Sequence, residues 1–282
     1  MLEYIPENLD FDVTFEPTRV ADKKYVIDGN TGKYIAIVGK DFNCASHGDF
    51  FRDVSDAVTN HLTDAEYEGA VVKWKDAHHN GWAMMDMVLP NVTAKIHTDK
   101  HQTEIAQRII ALHGVDGTCS NTVLFGAIDF FCTNGQIGGQ FDVARKRHTK
   151  NFQVDGFIQA FDDSIERHKH IVNQYQEWAD TRIYDSRKVM NLFRSLTTGT
   201  VDDPKKRNGL SDRLFAQYMD EVQTRGKNVF SVVSAMTHYA SHGDDGRFDL
   251  TKAGDNGTLF KRQEQVSKWL GSKVFADYLE VA

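Results

Sequence analysis

The spacing of apolar residues changes near Phe152, and that change constrains the fold more than any motif in the chain. Before it lie short runs rich in β-branched and aromatic residues, bounded by turn residues. Asp10–Phe15 and Lys23–Ile27 read as short strands and Lys33–Val38 as a better one. Ala70–Trp74 and Trp82–Val88 flank Asn80-Gly81, a hairpin signal, and Pro90 closes the second run. Glu104–His113 reads as a strand that could start as helix, and Thr122–Cys132 as a buried strand followed by Asn134-Gly135, a second hairpin signal. One amphipathic helix interrupts the series: Ser46, His47, Gly48 and Asp49 offer N-caps, and Phe50, Val54, Ala57, Val58 and Leu62 follow at helical spacing.

Beyond Phe152 the period is helical. Phe157, Phe161, Ile165, His168, Val172, Tyr175 and Trp178 predict one long helix, followed by helices over Ser186–Leu196, Asp212–Arg225, Asn228–Tyr239 and Thr258–Leu270. Strands first and helices second predict an α+β fold, with an antiparallel β-sheet in the N-terminal half and helices dominating the C-terminal half. The expected organisation is an N-terminal arm over residues 1–30, a strand-rich core with one amphipathic helix over 31–151, and a helical region packed on that core over 152–282. The polar stretch Thr197–Gly209 is the candidate linker or lid.

The chain can bury a full core: 40% of its 282 residues are hydrophobic, and 18 are Phe. A net charge of −7 means that any nucleic-acid contact must come from a local basic patch. Cys44, Cys119 and Cys132 form no CxxC and no disulfide framework, so a reducing compartment, the cytoplasm, is expected. No apolar leader and no membrane-spanning run is visible.

Motifs for chemistry are weak. There is no phosphate-binding P-loop and no nucleophile elbow, and Gly135–Gly139 is not a dinucleotide fingerprint. His97/His101 and His238/His242 are spaced four apart and His168/His170 two apart, but neither four-spaced pair carries the glutamate of a zinc helix. Cys132 with His113 is a conceivable nucleophile pair; a small buried cysteine is the plainer reading. Asp244, Asp245, Asp249 and Asp255 lack the order of a calcium loop. No catalytic residue, cofactor or metal is therefore expected.

The basic arm stands apart. Arg145, Lys146, Arg147 and Lys150 lie close together, with Phe141 and Phe152 on either side. Fixed cations suit a polynucleotide backbone and aromatic neighbours suit its bases; four phosphate contacts to a single strand would give a salt slope of about −2.8. The alternative is a solvated strand end that keeps an edge from aggregating. Lys205, Lys206 and Arg207 form a second basic group in the polar loop. Lys73 and Lys75 flank Trp74 and could extend a basic strip.

The runs His113–Thr118, Phe130–Gly135, Arg147–Thr149 and Ser234–His242 resemble a family of uncharacterised phage- and plasmid-borne proteins. The resemblance spans roughly Tyr34 to His242 and departs at Asp129, where the family usually has an arginine. It implies residence on mobile DNA beside replication and recombination functions. The order of elements is also similar, at the level of the fold, to single-strand-annealing recombination proteins, which form oligomeric rings around a basic groove. The expected function is thus non-catalytic single-stranded DNA binding or annealing by a homo-oligomer, through Arg145, Lys146, Arg147, Lys150, Lys73 and Lys75. The alternatives are a phage protein that binds a host protein and modulates host transcription or defence, and a metal-dependent hydrolase or nuclease.

Overall fold

The computed structural model describes residues 4–129, 135–136, 144–146, 172–198, 209–242 and 253–280. The protein is α+β: antiparallel sheets fill its N-terminal half and helices most of its C-terminal half. The chain divides into two compact units, 1–92 with 108–125 and 142–166, and 93–107 with 126–141 and 167–282.

The first unit begins with a three-stranded antiparallel sheet of β1 (Val13–Pro17), β2 (Lys23–Asp28) and β3 (Tyr34–Gly39), in that order. The β2–β3 turn is held by Asp28, whose carboxylate accepts from the Asn30 and Thr31 amides and the Thr31 hydroxyl. One face of this sheet packs Val26 and Val38 with Phe11 and Val115, and Val13, Phe15, Ile35 and Phe42 join them.

Helix α1 (His47–His61) starts where the sequence places it: the Ser46 side chain accepts from the Asp49 amide at 3.0 Å. Short helix α2 (Asp64–Tyr67) opens on a Thr63–Glu66 capping box. β4 (Val71–Ala77) and β5 (Trp82–His97) then form the hairpin that Asn80-Gly81 signals, with Ala77 opposite Trp82 and Val71 opposite Val88. β6 (Gln102–Gly114) and β7 (Asn121–Asp129) continue the sheet. The apolar stripe of α1, Phe50, Phe51, Val54, Ala57 and Val58, packs on Ala83, Met85, Met87, Leu89, Ile109, Ala111 and Val123. Each fully buried side chain of this kind is worth about 1.5–3 kcal/mol.

Three local readings change. Pro90 does not close β5, which runs on to His97. The ladder with β4 ends at Val88, so Pro90 lies beyond the end of that pairing. Glu104–His113 is strand from its start. The first strand lies at Val13–Pro17, a few residues later than read. β8 (Gly135–Gln136) pairs antiparallel with β7, Ile128 opposite Gly135, so Gly135 stands in a strand; Asn134 and the turn itself lie outside the described residues.

In the second unit, a helix over 172–180 (α3) is followed by α4 (Ser186–Thr198), α5 (Gly209–Arg225), α6 (Val229–His242), α7 (Ala253–Leu270) and α8 (Lys273–Leu279). The part of the expected long helix before 172, and most of the loop Thr197–Gly209, lie outside the described residues. Val229–Thr237 of α6 is buried all round, as a run without charge requires, and its core includes Tyr175, Phe193, Tyr218, Trp269 and Phe275. Lys100 donates to the carbonyls of Val222 and Gln223, capping the end of α5 with positive charge. Among the described residues no helix is long and apolar enough to cross a membrane.

Candidate nucleic-acid interface

β4 alternates. Val72 and Trp74 pack against the α1 core, so Lys73 and Lys75 belong to the opposite face. Lys73 is directly opposite Asp86 and Lys75 opposite Met84. Asp86 is held on its other side by Arg108, whose Nε and Nη2 donate to the two carboxylate oxygens at 2.8 and 2.7 Å. Both partners are largely buried, their side chains 14% and 10% exposed.

Burial alone would push the Asp86 carboxyl up. The Arg108 hydrogen bonds and charge, with Lys75 and Lys73, outweigh it and hold Asp86 below the ordinary carboxylate value. The Lys75 pKa is lowered too, but for a lysine that shift disfavours the charged form. Burial lowers its pKa first; Asp86 opposes that shift, and Arg108 and Lys73 add to it. Among the described residues neither lysine has a carboxylate within ion-pair distance. Among the described residues three cations thus act on this one carboxylate, two more than its charge balances, and the group reaches solvent at Lys73.

The basic arm joins the same sheet. β9 (Ala144–Lys146) pairs with β7, setting Lys146 opposite Asn121, Arg145 opposite Thr122 and Ala144 opposite Val123. Val123 belongs to the α1 core, so Thr122 falls on the other face, the face of Arg108. Arg145 is therefore registered to the face of Lys73 and Lys75, and Lys146 to the opposite one. Strand order β4-β5-β6-β7, with β9 on β7, puts four strand spacings between them, roughly 19 Å. Arg147, Lys150 and the flanking Phe141 and Phe152 lie outside the described residues, as do Lys205, Lys206 and Arg207.

Sequence reasoning missed Asp86 and Arg108. Their signal was present: a lone carboxylate in the apolar run Trp82–Leu89 and a lone charged residue in the mostly apolar run Ile105–Leu112.

A second polar group sits at the β4–β5 turn. His78, His79 and Asn80 all have left-handed backbones, with φ of 54°, 54° and 64°. Non-glycine residues rarely adopt this conformation singly, let alone in series. The turn is pinned from several directions. Asn8 donates to Asp76 and to the Asn80 side chain, His78 Nδ1 lies 3.0 Å from Asp116 Oδ2, and the Val115 and Asp116 amides donate to the Gly81 carbonyl. His47 Nε2 lies 2.8 Å from the Asn80 carbonyl, and its Nδ1 lies 2.8 Å from Nδ1 of buried His113.

The remaining candidates separate. His97 and His101 lie at the β5–β6 turn, not on a helix. His238 and His242 do share a face of α6, with ring centroids 4.6 Å apart; burial first, then His238, lowers the His242 pKa. Among the described residues no cluster of three His, Cys, Asp or Glu could hold a metal ion. Burial pushes the Cys44 and Cys119 thiols up to about 12, far from a nucleophile's range. Cys132, His168, His170 and the aspartates 244, 245 and 249 lie outside the described residues.

The family model described as a domain of unknown function (DUF932) matches residues 35–268, and the chain belongs to that family. No curated protein and no solved structure matches it.

Proposed function

We propose that this DUF932-family protein binds single-stranded DNA without catalysing a reaction, and serves strand annealing in the replication or recombination of mobile DNA as a homo-oligomer. The observation that carries the reading is the cation cluster on the sheet: Lys73, Lys75 and Arg108 around the single carboxylate of Asp86, in a chain of net charge −7. A structural ion pair needs one cation. The two further lysines on the same face are surplus to it, and one of them is partly desolvated, the state that a phosphate oxygen relieves. The register of Arg145 extends the strip across the sheet. At about 3.4 Å per nucleotide along a stacked strand, roughly 19 Å spans about five or six phosphates. The resemblance to phage- and plasmid-borne proteins supports the setting on mobile DNA.

Fluorescence anisotropy with a single-stranded oligonucleotide tests this. Binding is expected at low salt. Lys73→Ala/Lys75→Ala should weaken it and reduce the salt slope by about 1.4, two phosphate contacts at roughly 0.7 each. Absence of binding at low salt, or a double variant with unchanged affinity and slope, rejects the proposal.

A further inference from the structure

The small sheet of the first unit has a second face, exposed along β3 at Tyr34 and Ile37 and half-buried at Tyr25 on β2. Cross-strand partners Tyr25 and Ile37 share it, and Ile37 is 60% exposed. The register slips between Val26 and Ile27, so that Tyr34 comes opposite Ile27 while Ile35 turns in to the core. Tyr34 is 63% exposed, and its ring lies 4.9 Å from that of Tyr25. Without the bulge, strict alternation would have put Tyr34 on the packed side. The slip thus sets exposed Tyr34 and Ile37 beside half-buried Tyr25, a grouping that the core of the sheet does not use.

The cations beside the rings point to the occupant: Lys23 and Lys33 adjoin the tyrosines, whereas Lys24 sits over the Phe15 ring and Lys40 is paired with Asp22. The strands and turns of the sheet carry three carboxylates, Glu16, Asp22 and Asp28. Two of those carboxylates are engaged internally: Asp22 with Lys40 at 3.3 Å, and Asp28 within its own turn. Lys23 lies on the same row of β2 as Tyr25, two residues before it, and Lys33 immediately precedes Tyr34. Glu16, opposite Tyr25, is the exposed acceptor on the row, suited to a base amino group.

We infer that Tyr25, Tyr34 and Ile37 form a stacking platform for the unpaired bases of single-stranded nucleic acid, with Lys23 and Lys33 at its margins for the phosphates. Planar rings take base faces without regard to sequence. This deepens the reading above and rests on it: Lys73 and Lys75 answer the backbone, and this face answers the bases.

The test titrates the full-length protein with a thymine oligomer and with an abasic oligomer of equal length. The wild type is expected to prefer the thymine oligomer. Tyr34→Ala should lower affinity for it about tenfold, leave the abasic oligomer and the salt slope unchanged, and be rescued by Tyr34→Phe. So exposed a side chain can be removed without unfolding the sheet, which thermal denaturation of each variant verifies. Equal binding of the two oligomers through Lys73 and Lys75 overturns the platform and leaves the backbone reading intact; no binding of either overturns both. Intact DNA affinity in Tyr34→Ala, with loss of self-association in sedimentation, makes the face an interface between copies and also overturns the inference.

Discussion

His113 Nδ1 lies 2.8 Å from Nδ1 of His47, and with both rings neutral the Asn80 carbonyl on His47 Nε2 makes His113 the donor. A carbonyl only accepts, so neutral His47 carries its proton on Nε2 and offers a lone pair at Nδ1. The pair is buried and ringed by Phe11, Phe50 and Phe51. Replacing one partner leaves a buried imidazole nitrogen unmatched. His113→Leu should cost about 1–3 kcal/mol in urea denaturation. His47→Leu/His113→Leu should cost less than the two single changes added together. Additive costs would show that the hydrogen bond is not what holds the rings.

Asp86 neutralises a desolvated cluster, so its loss should be severe. Asp86→Ala leaves Arg108 and Lys75 without a counter-charge, an expected cost of about 3–5 kcal/mol. The pH dependence has a definite sign. The folded Asp86 pKa is depressed, so its contribution is full above the unfolded value of about 3.9 and disappears as pH falls below it. Denaturation from pH 6 to 2.5 should show a shallower acid limb for Asp86→Asn than for wild type.

Lys75 gives the opposite limb. Its folded pKa lies below the unfolded value of about 10.4, so the unfolded chain holds that proton more tightly. Stability from this group therefore rises as pH climbs from the folded pKa to the unfolded one. DNA affinity should fall over the same window, at a lower pH than an ordinary lysine allows. Arginine keeps its charge there, so anisotropy with Lys75→Arg should show no such fall.

The face of Lys73 and Lys75 was legible from alternation about Trp74, and the Asn80-Gly81 turn from its dipeptide. Their meaning was not. Asp86 and Arg108 acquire it only through pairing between strands, and no local period encodes which residues will stand opposite. Tyr34 was hidden for a similar reason: a one-residue slip in register reassigns its face, and bulges leave no clear mark in sequence. Pro90 misled because a proline can sit inside a strand past the end of one neighbour's ladder, and no local pattern marks where that ladder ends.

The left-handed run at the β4–β5 turn is a reservoir of strain. His79 is exposed, and φ of 54° costs a non-glycine residue roughly 1 kcal/mol or more. His79→Gly should raise the melting temperature by about 2–4 °C, as about 1 kcal/mol does in a domain of this size. Differential scanning calorimetry would measure it, and a lower melting temperature would mean that the pinned turn tolerates its geometry freely.

Among the described residues the chain crosses between its two units inside β5, β6 and β7. No single break in the gene can therefore deliver either unit whole. A recombination event that exchanged front and back halves with a distant relative would splice strands from different ancestors. Such a protein is inherited, and must diverge, as one piece.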